Sequence, residues 1–166
     1  MVVLGTLLAA ACAQPANAQD YGGAPQQAAG ALNRYYSGQT TTHMATPGPV
    51  PASFAFESTL GFLLAGGGSG RHAIYGCRSG AADYFLSFDA GCEGTTSLGR
   101  YGFAYDNPPD GVDTVAIWRC VRPGLDHFFS NDPNCEGQRS EGRMGFLPRR
   151  GDALVRSYTA RRTAMR

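Results

Sequence analysis

The sequence contains no lysine and few charged residues of any kind. Only 16% of its 166 residues are charged, and the formal net charge at pH 7 is +1. Binding to nucleic-acid phosphates requires a concentrated basic face, which so few charges do not provide. Seven arginines do lie between Arg143 and Arg166, and we interpret residues 159–166 as a short, exposed basic tail. No nucleic-acid partner is therefore expected.

Short motifs that mark common active sites are also missing. The chain has no Gly-x-Ser-x-Gly, no His-Glu-x-x-His and no glycine loop that precedes a helix and could hold a phosphate. The glycine-rich run 66–70 has neither a lysine nor a helical pattern after it, so it is interpreted as a linker. The sequence predicts no catalytic residue, no cofactor and no metal ligand, and it favours a protein that is not an enzyme.

An apolar run long enough to cross a membrane is absent as well. The stretch from Val2 to Cys12 is shorter than the about 20 residues that a spanning helix needs, so no membrane anchor is expected. Ala16-Asn17-Ala18 fits the small-x-small rule for signal-peptidase cleavage. Residues 1–18 are therefore predicted to be a secretory signal, and the mature protein is expected to be extracellular or periplasmic. Lipidation of Cys12 is the alternative that the sequence leaves open.

What the sequence does contain is an internal repeat. Residues 73–103 match the residues forty-three positions further on at fifteen of thirty-one places, without a gap. A weaker copy precedes them, because His43 and Glu57 lie eighty-four positions before His127 and Glu141. Three copies of about 42 residues are therefore predicted. A unit of this size cannot bury an apolar face alone, so the copies are expected to pack against one another.

The three copies are predicted to form one domain, 31–158. A flexible lead-in at 19–30, rich in Gln, Ala and Gly, precedes them. Residues 153–158 resemble the opening strand of each copy and are expected to lie beside the first copy as a closing strand. The copies themselves span about 31–66, 73–107 and 116–150.

Short β-prone segments dominate each copy. In the third copy, Ile117 to Cys120, His127 to Ser130 and Met144 to Leu147 are predicted strands. No window shows a sustained helical period, so the predicted fold class is all-β. Three such units suggest a pseudo-threefold, β-trefoil-like arrangement, with a β-prism-like one as the alternative. Ile74 and Ile117 are expected to lie inside.

The cysteines that follow the signal segment come in two equally spaced pairs. Cys77 and Cys92 recur as Cys120 and Cys135, and the first copy lacks both members. An even number of cysteines in an exported chain indicates disulfides, although spacing alone allows three pairings. Because the cysteines appear or vanish together with a copy, we predict the bonds Cys77–Cys92 and Cys120–Cys135.

The third copy carries a recognisable series of motifs. It runs Trp118-Arg119, then Asp126 to Ser130, then Glu141-Gly142, then Gly145-Phe146. This series resembles the repeat of a bacterial and fungal extracellular family that has no assigned function. The resemblance covers about 32–147 and implies a secreted, modular, non-catalytic accessory role. It implies no particular ligand and no catalytic residue.

Two histidines occupy equivalent positions in different copies. His43 and His127 could bind a metal or act as a base. Tyr84 stands at the same position of the second copy, so the unit tolerates the loss of the imidazole. A hydrogen bond within each copy is the interpretation that this substitution favours.

The recurring carboxylates have equally ordinary interpretations. Asp83 and Asp126 are duplicates, so the divided acid and base roles of a glycosidase pair are not expected. Asp89 and Asp132 are interpreted as turn residues. Exposed aromatic rings could instead stack on a sugar. The ligand-binding candidates are Asp83, Tyr84, Asp126, His127, Trp118 and His43.

Secretion, repetition and the missing catalytic motifs together favour a non-catalytic binding module, expected to be a monomer. The partner predicted first is carbohydrate or a cell-envelope glycan, and a surface protein is also compatible with the pattern. The alternative is an extracellular protease inhibitor on a trefoil scaffold, with an arginine loop at 121–123 or 148–150 entering the protease. An exported hydrolase that uses the duplicated acids is the least favoured hypothesis.

Overall fold

The computed structural model describes residues 28–124 and 126–151, and these residues form antiparallel strands with almost no helix. The strands are β1 (Ala28–Ser37), β2 (Thr42–Thr46), β3 (Ala55–Leu64), β4 (Arg71–Ser79), β5 (Asp83–Ser87), β6 (Thr96–Tyr105), β7 (Thr114–Val121), β8 (His127–Ser130) and β9 (Arg139–Pro148). Two short 3-10 turns precede β6 and β9. The all-β prediction is therefore confirmed. No helix of the described ranges has the length and hydropathy to cross a membrane.

Several predicted segments lie outside these ranges. The signal segment 1–18, most of the lead-in, the closing strand 153–158 and the basic tail 159–166 are not among the described residues. In the third copy, β8 has the predicted bounds and β7 contains the predicted strand. Strand β9 is longer than predicted, since it begins five residues before Met144.

The strands group into three three-stranded units of the same design. We call β1 to β3 the first unit, β4 to β6 the second unit and β7 to β9 the third unit. In each, the opening strand lies in the middle and pairs antiparallel with the other two strands. The pairing of the second unit recurs in the third at the same forty-three-residue offset, from Ile74↔Gly102 to Ile117↔Gly145.

Two β-bulges interrupt the long strand of every unit at equivalent places. In the third unit, Trp118 pairs with Arg143 and Ile117 with Gly145, so Met144 is an extra residue. The next bulge leaves Glu141 as a second extra residue. A bulge bends the strand and re-aims a side chain. The same two positions hold Leu60 and Glu57 in the first unit and Tyr101 and Leu98 in the second.

The units are joined through their long strands. Leu64 of β3 pairs with Phe103 of β6, and Tyr105 of β6 pairs with Phe146 of β9. Strands β3 and β9 are also in contact, and so are β2, β5 and β8 with one another. These are contacts that a pseudo-threefold arrangement requires, while the β-trefoil-like and β-prism-like assignments stay predictions.

One apolar core receives residues from all three units. Leu32, Ile74 and Ile117 occupy the same position of the three opening strands, and all three are fully buried. The prediction that Ile74 and Ile117 lie inside is therefore confirmed. The extra residues Leu60 and Met144 of the bulges enter the same core.

Two disulfides close equivalent loops in the second and third units. The bonds are Cys77–Cys92 and Cys120–Cys135, with Cα atoms 5.5 and 5.6 Å apart. All four cysteines are fully buried. The predicted pairing is confirmed, and each bond ties the opening strand of a unit to the 3-10 turn before its long strand.

We expect removal of either bridge to destabilise the fold equally. Each closes a loop of the same length, with a sequence separation of 15, so chain entropy assigns each about 3 kcal/mol. The double variants Cys77→Ala/Cys92→Ala and Cys120→Ala/Cys135→Ala should therefore lose similar amounts of unfolding free energy in urea titrations. A loss confined to one pair would contradict the equivalence of the two units.

Candidate functional site

An arginine cluster joins the third unit to the second. The Arg119 guanidinium donates from Nε to Glu141 of its own unit at 2.8 Å. It also donates to both carboxylate oxygens of Glu93 in the second unit, at 2.6 and 3.2 Å. The Arg119 side chain is only 16% exposed. Bidentate, charge-assisted bonds of this kind fix geometry as well as supply energy, so this cluster sets how the two units face each other.

A second, equivalent cluster around Arg34 joins the first unit to the third. Arg34 donates from Nε to Glu57 of its own unit at 2.9 Å. Its NH1 donates to Glu136 of the third unit at 2.5 Å. Arg34 also lies 6.0 Å from the Phe128 ring centroid, just as Arg119 lies over Phe85. Two of the three boundaries between units therefore carry one repeated arrangement.

Backbone irregularities place both carboxylates of the Arg119 cluster. Glu141 is an extra residue of a bulge. Glu93 lies in the 3-10 turn with φ 55°, in the left-handed region that non-glycine residues seldom adopt. Asp89 stabilises this turn, because its two oxygens accept the backbone N–H groups of Gly91 and Glu93 at 2.9 and 2.8 Å.

An equivalent turn presents Glu136 to Arg34. Its φ is also 55°, and Asp132 accepts the N–H groups of Asn134 and Glu136 at 2.9 and 3.0 Å. The interpretation of Asp89 and Asp132 as turn residues is thus confirmed. Their role is to hold a glutamate in an unfavourable backbone conformation that faces the neighbouring unit.

The two recurring histidines also bridge units. His127 donates from its backbone N–H and its Nδ1 to Asp83 of the second unit, at 2.9 and 2.8 Å. His43 makes the same two bonds to Asp126 of the third unit, at 2.6 and 2.8 Å. The expectation of a hydrogen bond within each copy is therefore wrong for Nδ1. The sequence could not show this. Asp126 directly precedes His127 in the chain, yet it accepts from His43 of another unit.

Asp126 is the more enclosed of the two aspartates. Its side chain is fully buried, whereas that of Asp83 is 23% exposed. Asp126 has a further donor in Arg122, whose Nε lies 2.7 Å from Oδ1. Burial opposes ionisation of Asp126, but the hydrogen bonds from His43 and Arg122 outweigh it and lower the pKa of this carboxyl.

The other bridging carboxylates are held ionised in the same way. The bond from Arg119 lowers the pKa of Glu93. For Asp83 and Glu136, burial favours the neutral form, but the hydrogen bonds from His127 and Arg34 respectively outweigh burial and lower the pKa. The carboxylates at these boundaries are therefore anions with committed partners.

The boundary between the first and second units is built differently. Gly76 stands where the other units have arginine, and a Cβ there would lie 2.0 Å from the Tyr101 ring. The Tyr101 hydroxyl reaches Thr46 of the first unit, and burial raises its pKa. Tyr84 replaces the histidine and meets the Phe54 ring edge-on at 5.8 Å. Aromatic contacts thus take the place of the ion pairs.

An open cleft of about 500 Å³ lies beside the Arg119 cluster, between the second and third units. Phe88 stands on one side, and its side chain is 51% exposed. Arg143 and Gly142 of β9 line the other side, and Arg119 lies between two carboxylates within it. The lining residues are Ser87, Phe88, Asp89, Glu93, Arg119, Glu141, Gly142, Arg143 and Met144.

At the boundary between the third and first units, a hydrogen bond spans the place equivalent to this cleft. Asn131 corresponds to Phe88, and its amide donates to the carbonyl groups of Leu60 and Ala116 at 3.1 and 2.9 Å. That amide ties the first unit to the third. In the second unit, His72 makes the corresponding bond, since its Nε2 lies 2.9 Å from the Met144 carbonyl. Phe88 therefore does not link the two units by a hydrogen bond. Its ring meets the His72 ring edge-on, with the centroids 4.6 Å apart.

The predicted candidates do not line this cleft. His43, His127, Asp83 and Asp126 hold units together. Trp118 packs against the third-unit cluster of Cys120, Phe128 and Cys135. Phe88 was missed because attention went to residues that recur, and Phe88 lies where the copies differ. Arg143 recurs as Arg100, but nothing in the sequence places it beside Phe88. Within the described ranges, no group of three or more His, Cys, Asp or Glu side chains could hold a metal ion.

Replacing the two aspartates by alanine should have unequal costs. Asp126→Ala leaves buried donors of His43 and Arg122 without an acceptor, so we expect a loss of about 3 kcal/mol in unfolding free energy. Asp83→Ala should cost about 1 kcal/mol, since water reaches the site. Urea titrations measure both, and equal losses would contradict the assigned difference in burial.

Stability should also fall in acid. Asp83, Glu93, Asp126 and Glu136 have lower pKa values folded than their ordinary 3.8 for Asp and 4.5 for Glu. Their contribution is therefore fully present above those ordinary values and is lost as pH falls through the lower, folded values. Urea midpoints measured from pH 7 down to about pH 3 should decline, and less steeply for Asp83→Asn. A flat profile would contradict the assigned ion pairs.

No family model matches the chain, and no curated protein or solved structure matches it either. The resemblance to the extracellular repeat family stays a prediction from motifs.

Proposed function

We propose that the protein is an exported, non-catalytic module that binds carbohydrate in the cleft beside Phe88. The observation that carries this proposal is the half-exposed Phe88 ring at the edge of a cleft that also contains charged groups held in place by ion pairs. A single exposed ring needs no ligand by itself, but a ring beside hydrogen-bonding groups in a cleft combines the apolar and polar contacts of a small-molecule site.

The chemistry of the cleft suits a sugar. A pyranose ring presents C–H groups on its faces and hydroxyls around its edge. Phe88 offers an apolar ring for such a face, while Glu141 and Arg143 offer an acceptor and donors for the hydroxyls. Glu93 and Arg119 already bind each other, so the cleft floor is rigid before a ligand arrives.

The carboxylates support binding rather than hydrolysis. A glycosidase needs one carboxylic acid with a raised pKa to protonate the leaving group. Asp83, Glu93, Asp126 and Glu136 instead have lowered pKa values and committed partners. Asp83 and Asp126 have equivalent hydrogen-bonding partners, and so do Glu93 and Glu136. This equivalence does not favour one carboxyl as the acid and another as the nucleophile.

Export is supported by the two buried disulfides, because such bonds persist in oxidising compartments. The protease-inhibitor alternative has less support. The Arg122 side chain donates to Asp126 and to the Thr41 carbonyl, so it is not free to enter a protease pocket. Arg149 and Arg150 are both exposed, and this alternative would have to use one of them.

A glycan array should identify neutral oligosaccharide ligands, and Phe88→Ala should weaken their binding about three- to tenfold, as loss of one aromatic contact predicts. Phe56→Ala is the matched control, since Phe56 is 59% exposed but does not line the cleft. A trypsin-inhibition assay on the same samples tests the alternative. Inhibition lost in Arg149→Gln, without glycan binding, would refute the proposal.

A further inference from the structure

Three arginines of the second and third units rest on aromatic rings. The guanidinium carbons of Arg71, Arg100 and Arg143 lie 5.2, 5.0 and 4.7 Å from ring centroids. The rings beneath them belong to Tyr105, Phe103 and Phe146 respectively. Arg100 and Arg143 occupy equivalent positions of β6 and β9, and both are exposed.

The three rings form one apolar cluster on this face of the sheet. Tyr105 and Leu64 are its buried members, and Phe103 and Phe146 pack against them. Tyr105 is also the backbone partner of Phe146 where β6 meets β9. The three arginines therefore rest on members of one apolar cluster, and we call Arg71, Arg100 and Arg143 the arginine patch.

Among the described residues, the arginine patch has no anionic partner. Within residues 28–124 and 126–151, no carboxylate oxygen lies within 4.0 Å of its three guanidinium groups. Five other arginines of the same ranges do have such a partner, namely Arg34, Arg119, Arg122, Arg139 and Arg149. Arg78 and Arg150 of the same ranges also lack such a partner, but neither lies over an aromatic ring, so an unpaired charge held on a ring is what distinguishes the patch.

Stacking leaves these guanidinium groups able to bind anions. The ring covers one face of the planar group and leaves the N–H donors along its edge able to bind an anion. Arg71 uses one of these donors on the Gly66 carbonyl, at 3.4 Å. Carboxylates and sulfates accept two such donors at once. The ring also restricts the side chain, so less freedom is lost when an anion binds.

We infer that the arginine patch binds the carboxylate or sulfate groups of an acidic polysaccharide. This inference rests on the proposed function and specifies its ligand. Arg143 belongs both to the patch and to the cleft, so one glycan chain can occupy the cleft and cross the patch. A nucleic acid fits less well, because its regularly spaced phosphates need a larger basic face than three arginines provide and the net charge is only +1.

The test compares polymers that share one backbone, namely dextran, carboxymethyl-dextran and dextran sulfate. Wild-type protein should bind one or both charged polymers at least about tenfold more tightly than dextran, and less tightly as salt rises. The polymer bound more tightly identifies the anionic group. Arg100→Gln/Arg143→Gln should lose about tenfold in that binding. The control Arg149→Gln/Arg150→Gln removes the same charge outside the patch and should retain it.

Several outcomes would overturn the inference. Equal binding of dextran and its charged derivatives is one, and an equal loss in the two double variants is another. Tighter binding of duplex DNA through the same arginines would assign the patch to a different polymer. The proposed function is judged separately, since neutral glycans that depend on Phe88 would support the cleft even if the patch played no part. Circular dichroism and thermal melts confirm that each variant is folded.

Discussion

The rest of the structure depends on a guanidinium shared between two carboxylates of different units. Arg119 holds Glu141 of its own unit and Glu93 of the second unit, and Arg34 repeats the arrangement one boundary further. A three-stranded unit of about 35 residues buries too little apolar surface to be stable alone. The units must therefore associate in one relative position, and directional, bidentate bonds between them select that position more sharply than apolar contact does.

The repeated boundaries also explain where the molecule is free to be different. Gly76, Tyr84 and Leu98 remove the arginine, histidine and glutamate from the second unit, and Tyr101 fills the space above Gly76. The two arginine boundaries differ at one position. Asn131 links the third unit to the first, whereas its equivalent in the second unit, Phe88, has no such hydrogen bond. His72 makes the linking bond instead. The proposed binding site therefore lies at Phe88, a position that does not have to link two units. Such a position can differ between copies without loss of the link.

The sequence predicts the repeated parts of this structure well. The presence or absence of both cysteines together in a copy gives the pairing of Cys77 with Cys92, strand propensity gives β8, and the turn-forming character of Asp89 is apparent from its residue type. The relations between units could not be predicted. That Nδ1 of His127 bonds Asp83 rather than a group of its own unit depends on how two units face each other. That Glu141 points at Arg119 depends on a bulge, and that Glu93 adopts a positive φ depends on a turn that Asp89 stabilises. Phe88 was not predicted as a site residue because comparison of the copies favours residues that match.

The most direct test of the account is an amide chemical-shift titration of the folded protein with the tightest-binding oligosaccharide from a glycan array. The account predicts shifts concentrated at residues 87–93 and 141–144, which line the cleft. The equivalent residues 130–136 and 57–60 should shift little, because Asn131 bridges that boundary. Shifts centred on His43 and Asp126, or spread equally over all three boundaries, would contradict a single cleft beside Phe88.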